Sequence, residues 1–238
     1  MRLMKSWLCT IIAGVLGAML LTGCTGKIIQ NKCYYGDVDY ASILQWDSVQ
    51  YYDNTETNLS VLGKGKAIGK ITYSKSEHRC PRQELQDGDA TNLKTGTQLY
   101  EAEGYKVSAR IWAGDRLYVA SSNPAARTLN DLLDAEGKIQ TVRFISGNDG
   151  SDLMDFTPEA NAIFIREFPK LEYIPFEELS KQTKSWVGDK YWMEIEMKDG
   201  STRRVTYNTM FPSFQPSAYA TPELAELIEQ QRKLIYAR

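Results

Sequence analysis

The chain of 238 residues contains one histidine, His78, and histidine is the commonest general base near neutral pH. A Ser-His-Asp or Cys-His catalytic site would therefore have to be built around this residue. Its neighbours Glu77, Arg79 and Pro81 are typical of a polar loop, where a lone histidine is usually a solvated side chain. The sequence thus favours a surface position for His78 over a catalytic one.

Paired acidic residues are the other arrangement that could catalyse, since one carboxyl can donate a proton while the second acts as base or nucleophile. The chain has 30 acidic residues, so carboxylate pairs will form whether or not they are functional. Their number therefore carries no specific information, and the residues form no coherent catalytic set. The sequence predicts a protein that is not an enzyme, and a hydrolase with paired carboxylates is the alternative.

Two polar loops could bind phosphate or a metal ion. Residues 63–69 space their glycines as G-x-G-x-x-x-G, which fits neither the dinucleotide fingerprint nor a P-loop, so a turn that enters a strand is predicted. Residues 146–152, with Asp155 beyond them, gather oxygen ligands but lack the residue order and the distal glutamate of a calcium loop. A solvated loop is favoured there, and neither a metal nor another cofactor is predicted.

The N-terminal segment has the three-part layout of a secretory signal peptide. Arg2 and Lys5 precede an apolar stretch over residues 7–21, which is shorter than the ~20 residues that span a bilayer. A transmembrane anchor and a plain secretory signal are the alternatives to a lipoprotein signal. The stretch ends in the sequence Leu21-Thr22-Gly23-Cys24.

Those four residues resemble the lipobox of bacterial lipoproteins, in which the cysteine receives a diacylglyceryl group on its sulfur and becomes the first residue after cleavage. The resemblance implies that residues 1–23 are removed and that Cys24 carries acyl chains such as palmitate. Two acyl chains suffice for stable anchoring. We therefore expect a lipid-anchored protein on the extracytoplasmic face of the cell membrane, with residues 24–41 as a tether.

The remaining cysteines, Cys33 and Cys80, form an even pair once Cys9 leaves with the signal peptide and Cys24 is lipidated. An even pair outside the cytosol favours a disulfide, which would stabilise the fold by roughly 4 kcal/mol in the chain-entropy model. Two free thiols are the alternative, because a sequence does not show the Cβ separation. A metal site that includes His78 is disfavoured, since a second pair of ligands is absent.

The charge balance excludes one class of partner. The whole chain has a formal net charge of −2, and removal of residues 1–23 takes away two basic residues and no acid. The mature chain would then be mildly acidic and has no basic cluster, whereas nucleic-acid binding requires lysines and arginines that neutralise phosphates. Nucleic acid is therefore not a predicted partner.

The elements that must position these residues fall into two groups, and the predicted fold class is α+β. Residues 42–120 are predicted to form a small antiparallel β domain, because short β-prone runs alternate with turn residues. Its first hairpin joins residues 43–46 to residues 49–52. Further strands are expected at residues 67–73, 98–100, 107–112 and 117–120.

A break at Ser121-Ser122-Asn123-Pro124 predicts a linker over residues 121–128. Residues 129–238 are then predicted to form a second domain, an antiparallel sheet packed with two or three helices. Thr157-Pro158 and Thr221-Pro222 are typical helix starts, with threonine as N-cap and proline at the first helical position. Strands are expected at residues 139–145, 191–197 and 203–207, the last two joined by a turn at residues 198–201.

A second resemblance covers part of the first domain. Residues 88–100 (GDATNLKTGTQLY), Glu103-Gly104-Tyr105 and the upstream G-x-x-I-G of residues 65–69 resemble segments of uncharacterised lipoproteins of Gram-positive spore-forming bacteria. The resemblance implies a cell with a single membrane and a location on it, and no activity. It also weakens the case for a disulfide between Cys33 and Cys80.

Adjacent aromatic residues could bind a sugar ring or a partner peptide, although neighbours on a strand point to opposite faces and one of each pair is expected in the core. These aromatic pairs, the predicted lipid anchor and the absence of a coherent group of catalytic residues together favour a non-enzymatic binding or accessory module. Its partner would be an envelope component or a protein. An envelope hydrolase and a solute-binding lipoprotein are the alternatives, the second disfavoured because the βαβ rhythm is missing. The pairs are Tyr34-Tyr35, Tyr51-Tyr52 and Tyr191-Trp192.

Overall fold

The computed structural model describes residues 41–54, 62–183 and 187–237. The predicted signal peptide, Cys24, Cys33 and almost all of the predicted tether lie outside the described residues, so these assignments stay predictions. Cys80 is described and is disulfide-bonded. In the described part of the chain, no helix is long and apolar enough to cross a membrane.

The fold is mainly β. The described residues form an eight-stranded sheet and a six-stranded sheet, accompanied by four α-helices. Strands and helices are both present, as the α+β prediction requires. The predicted size of the first domain is wrong, because the N-terminal part of the described chain forms the larger, eight-stranded sheet. That sheet is also not purely antiparallel, since its last two strands pair in parallel.

The first sheet has the strand order β3-β6-β7-β8-β2-β1-β5-β4. The predicted first hairpin is confirmed, and its two turn residues Asp47 and Ser48 both adopt positive φ, as the tightest hairpin turns require. The strands are β1 (Ile43–Trp46), β2 (Val49–Asp53), β3 (Lys64–Lys70), β4 (Tyr73–Ser74), β5 (Asp89–Ala90), β6 (Gln98–Ala102), β7 (Arg110–Ala113) and β8 (Arg116–Ser122).

Two predictions in this region are wrong. Residues 63–69 are predicted as a turn that enters a strand of residues 67–73, but the strand β3 already begins at Lys64 and ends at Lys70, because its backbone pairs with β6. Gly69 lacks a side chain where the Trp46 ring approaches so closely that a Cβ would lie 2.1 Å from it. The strand predicted at residues 107–112 begins only at Arg110, because the Lys106 carbonyl accepts hydrogen bonds from the N–H groups of Ala109 and Arg110 in a turn.

The second sheet is antiparallel throughout, in the order β10-β9-β11-β12-β13-β14. The predicted hairpin is confirmed, with Gly200 at φ 81° in its turn and Met193, Ile195 and Met197 buried on one face of its first strand. The strands are β9 (Ile139–Ile145), β10 (Asp152–Asp155), β11 (Lys190–Met197), β12 (Thr202–Asn208), β13 (Ser213–Gln215) and β14 (Ala218–Tyr219).

The two predicted helix starts are confirmed. The Thr157 hydroxyl accepts a hydrogen bond from the Ala160 N–H, and the Thr221 hydroxyl accepts one from the Leu224 N–H. These bonds satisfy backbone donors that a helix cannot pair internally. The helices are α1 (Leu129–Leu133), α2 (Pro158–Glu167), α3 (Phe176–Thr183) and α4 (Pro222–Ile235), and short 3-10 turns lie at Lys75–Glu77 and Phe168–Lys170.

The main buried core draws on both sheets. Tyr51 and Tyr118 of the first sheet belong to the same buried cluster as Phe144 and Tyr207 of the second. The division at residues 121–128 stays a prediction, but the core is continuous on both sides of it. Any site between the sheets is therefore lined by both halves of the chain.

Candidate ligand-binding site

A cleft of about 700 Å³ lies between the two sheets and opens to solvent. Its volume is in the range of sites that take small ligands. One wall comes from β2 and the end of β8, and the other from β11, β12 and β13, while the segment before α3 and the start of that helix close one side. The cleft is thus assembled from segments that are far apart in the sequence.

Aromatic side chains form much of the cleft surface. Trp192 is 40% exposed and Phe176 is 51% exposed, which is unusual for rings of this size. Tyr52 and Tyr173 also line the cleft and are more buried. Large rings that keep solvent contact in a concave site offer faces on which another ring can stack.

The strand alternation of β11 explains why Trp192 faces outward. Its neighbour Tyr191 packs on the core, with its ring stacked at 6.0 Å from that of Tyr207. Residues 146–151 form the loop before β10, and a Cβ at Gly147 would lie 2.7 Å from the Trp192 indole. Glycine at this position therefore lets the loop lie close to the indole.

This same loop was the calcium candidate. The Asp149 carboxylate accepts hydrogen bonds from the N–H and the hydroxyl of Ser151. The Ser151 bonds and one from Ser146 lower the pKa of Asp149 to about 2. Asp152 and Asp155 begin and end β10, outside the loop. Nowhere in the described ranges do three His, Cys, Asp or Glu residues come together as metal ligands.

Arg203 is unusual among the residues that line the cleft, because it is charged and only 4% exposed. Strand register places it opposite Ile195, on the face that also buries Val205 and Tyr207. Its Nη2 donates a hydrogen bond of 2.8 Å to the Ala120 carbonyl, and its Cζ lies 5.6 Å from the centre of the Tyr52 ring.

The Arg203 guanidinium has no counter-charge among the described residues. Its Nε finds no hydrogen-bond acceptor there, and no carboxylate lies close enough to form an ion pair. Burial lowers the pKa of Arg203, because the charged form loses its hydration, and the nearby Tyr52 opposes this effect. Burying a charge without a partner costs several kcal/mol, so this position requires a physical explanation.

Ser217 is a second buried polar group in the cleft. It is 2% exposed, and its Oγ has no hydrogen-bond partner in the described parts of the chain. The charged residues that line the cleft are Arg203, Arg204 and Glu177, so the lining is net positive. A guanidinium, a hydroxyl and several ring faces can bind and orient a molecule.

A different polar cluster lies between the sheets around Arg110, which is 1% exposed. Its Nη1 donates a 2.6 Å hydrogen bond to the Ser201 hydroxyl, and its Cζ lies 4.0 Å from the centre of the Tyr105 ring. The Tyr105 hydroxyl in turn donates a 2.7 Å hydrogen bond to Asp199. Burial lowers the pKa of Arg110, and the charges of Tyr105, Asp199 and Asp134 oppose this effect.

His78 and Cys80, which the sequence analysis considered for catalysis or metal binding and disfavoured, do not line the cleft. His78 is exposed and stacks on Tyr73, with ring centres 4.3 Å apart. Cys80 is exposed and disulfide-bonded, while Cys33 lies outside the described residues, so their pairing stays a prediction. Of the described residues that line the cleft, Glu177 is the only carboxylate.

Four carboxylates surround Arg143. This arginine forms ion pairs with Asp152 at 3.4 Å, Asp155 at 3.0 Å, Glu194 at 3.8 Å and Glu196 at 2.5 Å. Burial raises the pKa of Glu194, although the Arg143 charge opposes this effect. The four acids are held by one cation rather than arranged across a cleft.

Sequence reasoning missed Arg203 and Ser217. The period-two alternation of Arg203, Val205 and Tyr207 could have placed Arg203 on the buried face of the predicted hairpin. No comparable signal marks Ser217, which follows a cis peptide bond between Gln215 and Pro216.

No family model, no curated protein and no solved structure matches the chain.

Proposed function

We propose that this chain is a lipid-anchored, extracytoplasmic, non-enzymatic binding module, and that the cleft between its sheets binds the ligand. The observation that carries the proposal is the combination of exposed rings with buried, unmatched polar groups in one concave site. Trp192 and Phe176 supply the rings, while Arg203 and Ser217 supply the polar groups.

The anchor part of the proposal is supported by the N-terminal sequence. Leu21-Thr22-Gly23-Cys24 resembles a lipobox, and lipidation of Cys24 would hold the protein at a membrane surface. The ligand is then an envelope component or a protein partner present at that surface. Nucleic acid is not proposed, because the mature chain is acidic.

Binding rather than catalysis is supported by the residues available in the cleft. A general acid and a general base require groups that exchange protons near neutral pH. The single histidine lies elsewhere, and Glu177 is the one carboxylate among the described lining residues. Arginine and ring faces are suited to holding a ligand in one orientation.

The test is a thermal-unfolding screen of the full chain in detergent against peptidoglycan fragments, sugars and small organic acids. A ligand at a hundred times its Kd stabilises a protein by ~2.7 kcal/mol, which shifts the melting temperature by several degrees. The shift should be lost in Trp192→Ala and kept in Tyr236→Ala, which removes an exposed ring outside the cleft lining. A shift that survives Trp192→Ala would place the ligand elsewhere.

The anchor is tested by metabolic labelling with a fatty-acid analogue. The wild-type chain should incorporate the label, and Cys24→Ala should not, while Cys33→Ala serves as the matched cysteine control. Label in the Cys24→Ala variant, or none in the wild type, would contradict the lipoprotein assignment.

A further inference from the structure

Arg203 is a buried cation with no anionic partner among the described residues. Its side chain is 4% exposed and lines the cleft, and the described residues provide it with a backbone carbonyl and a tyrosine ring but with no carboxylate. A guanidinium presents a planar fork of N–H donors that matches a carboxylate or a phosphate in two parallel bonds. The Arg203 Nε, like that of Arg110, is buried without a hydrogen-bond partner among the described residues, but only Arg203 lines the cleft.

Two neighbouring features make the same region favourable for negative charge. Arg204 also lines the cleft, and the charge of Arg110 is close enough to act on that of Arg203. The Ser217 hydroxyl, which is buried and unpaired among the described residues, can donate a further hydrogen bond to an anion.

The aromatic residues define the rest of the ligand. Tyr52 lies beside the guanidinium, and Trp192 and Phe176 leave ring surface exposed to solvent. Sugar and aromatic rings both present flat apolar faces that stack on such surfaces. A cleft of about 700 Å³ has room for one or two rings together with an acidic group.

We propose that the cleft binds a ring-bearing acid, whose carboxylate or phosphate pairs with Arg203 and Ser217 while its ring stacks on the aromatic wall that includes Trp192. This inference rests on the proposed function and specifies the chemical class of its ligand. The acid neutralises the buried guanidinium, so binding completes an ion pair of which the protein holds one half.

The decisive experiment compares acids with neutral analogues of the same ring by isothermal titration calorimetry on the full chain in detergent. Three pairs separate the sources of the acid: N-acetylmuramic acid and its carboxamide, indole-3-acetate and indole-3-acetamide, and glucose 6-phosphate and glucose. In at least one pair the acid should bind with a Kd about ten times lower than that of its neutral analogue, or lower still. Hydrogen bonds to a charged group are stronger than hydrogen bonds to a neutral group.

Variants then assign the preference to Arg203. Arg203→Gln should reduce the ratio of acid to neutral affinity to near one, and Ser217→Ala should reduce it in part. Arg166→Gln is the control, because it removes an exposed arginine that does not line the cleft, and it should keep the ratio. If Arg203→Gln does not fold, the ratio of acid to neutral affinity is compared between the wild type and Ser217→Ala. An equal ratio in the two proteins would then overturn the inference.

The outcomes separate this inference from the proposed function. Equal affinity for an acid and its neutral analogue, with both abolished by Trp192→Ala, would overturn the inference and leave the cleft as a binding site. An acid preference that Arg203→Gln preserves would also overturn it. Failure of every probe at its solubility limit overturns the inference, whereas the proposed function fails when no ligand of the wider screen depends on Trp192.

Discussion

Two arginines, Arg110 and Arg203, are buried to nearly the same degree in opposite surroundings. Each crosses from one sheet to the other, since Arg110 of β7 donates to Ser201 and Arg203 of β12 donates to Ala120 of β8. Arg110 has a tyrosine ring at 4.0 Å, and the charges of Asp199 and Asp134 act on it. Arg203 has a more distant ring, at 5.6 Å, and no carboxylate among the described residues.

The comparison separates two uses of a buried charge. Around Arg110 the chain supplies an acceptor in Ser201 and opposing charge from Asp199 and Asp134, although the Arg110 Nε, like that of Arg203, has no hydrogen-bond partner among the described residues. The arginine therefore serves to hold the sheets together. Around Arg203 the described chain leaves the charge unmatched beside an open cleft, so the matching group is expected from a ligand. Four predictions test or refine this contrast, beginning with the largest expected effect.

Replacing each arginine with methionine should change stability in different ways. Arg110→Met removes a cation that bonds to Ser201 and lies near the charges of Asp199 and Asp134, and it should lower the free energy of unfolding by about 3 kcal/mol. Arg203→Met replaces an unmatched charge with an apolar chain of similar length, so the change should stay within about 1 kcal/mol of zero. Urea unfolding of both variants measures the difference. Equal losses would show that the two surroundings are energetically alike.

Tyr105→Phe removes the hydrogen bond to Asp199 and should cost about 2 kcal/mol at neutral pH, because the acceptor is charged. Burial, with Asp199 adding and Arg110 opposing, raises the pKa of Tyr105 from 10.0 to about 12 in the folded protein. The stability that this shift provides is present below pH 10 and is lost as the pH rises towards 12.

Chemical unfolding at several pH values tests this prediction. Between pH 10 and pH 12 the wild type should lose more stability than the Tyr105→Phe variant, because the variant has no phenol to ionise at this position. Tyr219→Phe is the control, since Tyr219 is exposed and donates to the neutral side chain of Gln182. Parallel pH profiles for wild type and Tyr105→Phe would argue against a stabilising hydrogen bond between Tyr105 and Asp199 beside Arg110.

Two buried serines allow the same comparison with a smaller change. Ser201→Ala removes the hydroxyl that accepts from Arg110 and should lower the free energy of unfolding by about 1.5 kcal/mol. Ser217→Ala removes a hydroxyl with no partner in the described chain, so stability should change by less than about 0.5 kcal/mol. Thermal and urea unfolding would show the difference, and a larger loss for Ser217→Ala would reverse the contrast.

Gly147→Ala should have the smallest effect on stability and act on the cleft alone. The new methyl group would lie 2.7 Å from the Trp192 indole, and the partly exposed ring can move to relieve the contact. We expect a stability change within about 0.5 kcal/mol, a shift in tryptophan emission and weaker ligand binding. Asn148→Ala, an exposed position in the same loop, should leave emission and binding unchanged. Unaltered emission in Gly147→Ala would refute the close packing.

Local signals predicted the elements that depend on neighbouring residues. The turn at Asp47 and Ser48 and the glycine at position 200 fix two hairpins, and threonine-proline pairs begin α2 and α4. Each signal acts within a few residues, so it can be read without knowledge of the tertiary structure.

The cleft could not be predicted in the same way. Its walls meet because β2 pairs with β8, more than 60 residues further along the chain, and because the two sheets share a core. Both are contacts between distant segments. The helix α3 was missed because it buries only Leu179 and Thr183 and follows a proline without a capping signal. Arg203 was missed because charged residues on a hairpin are usually solvated.

The placement of the cleft across two sheets has a kinetic consequence. A ligand held there would touch β2 and β8 on one side and β12 and β13 on the other, so the sheets could not separate without breaking its contacts. Contacts that form late in folding slow unfolding more than they speed folding. A bound ligand would thereby lengthen the lifetime of the folded protein, and at the proposed extracytoplasmic location this would slow its loss to proteases.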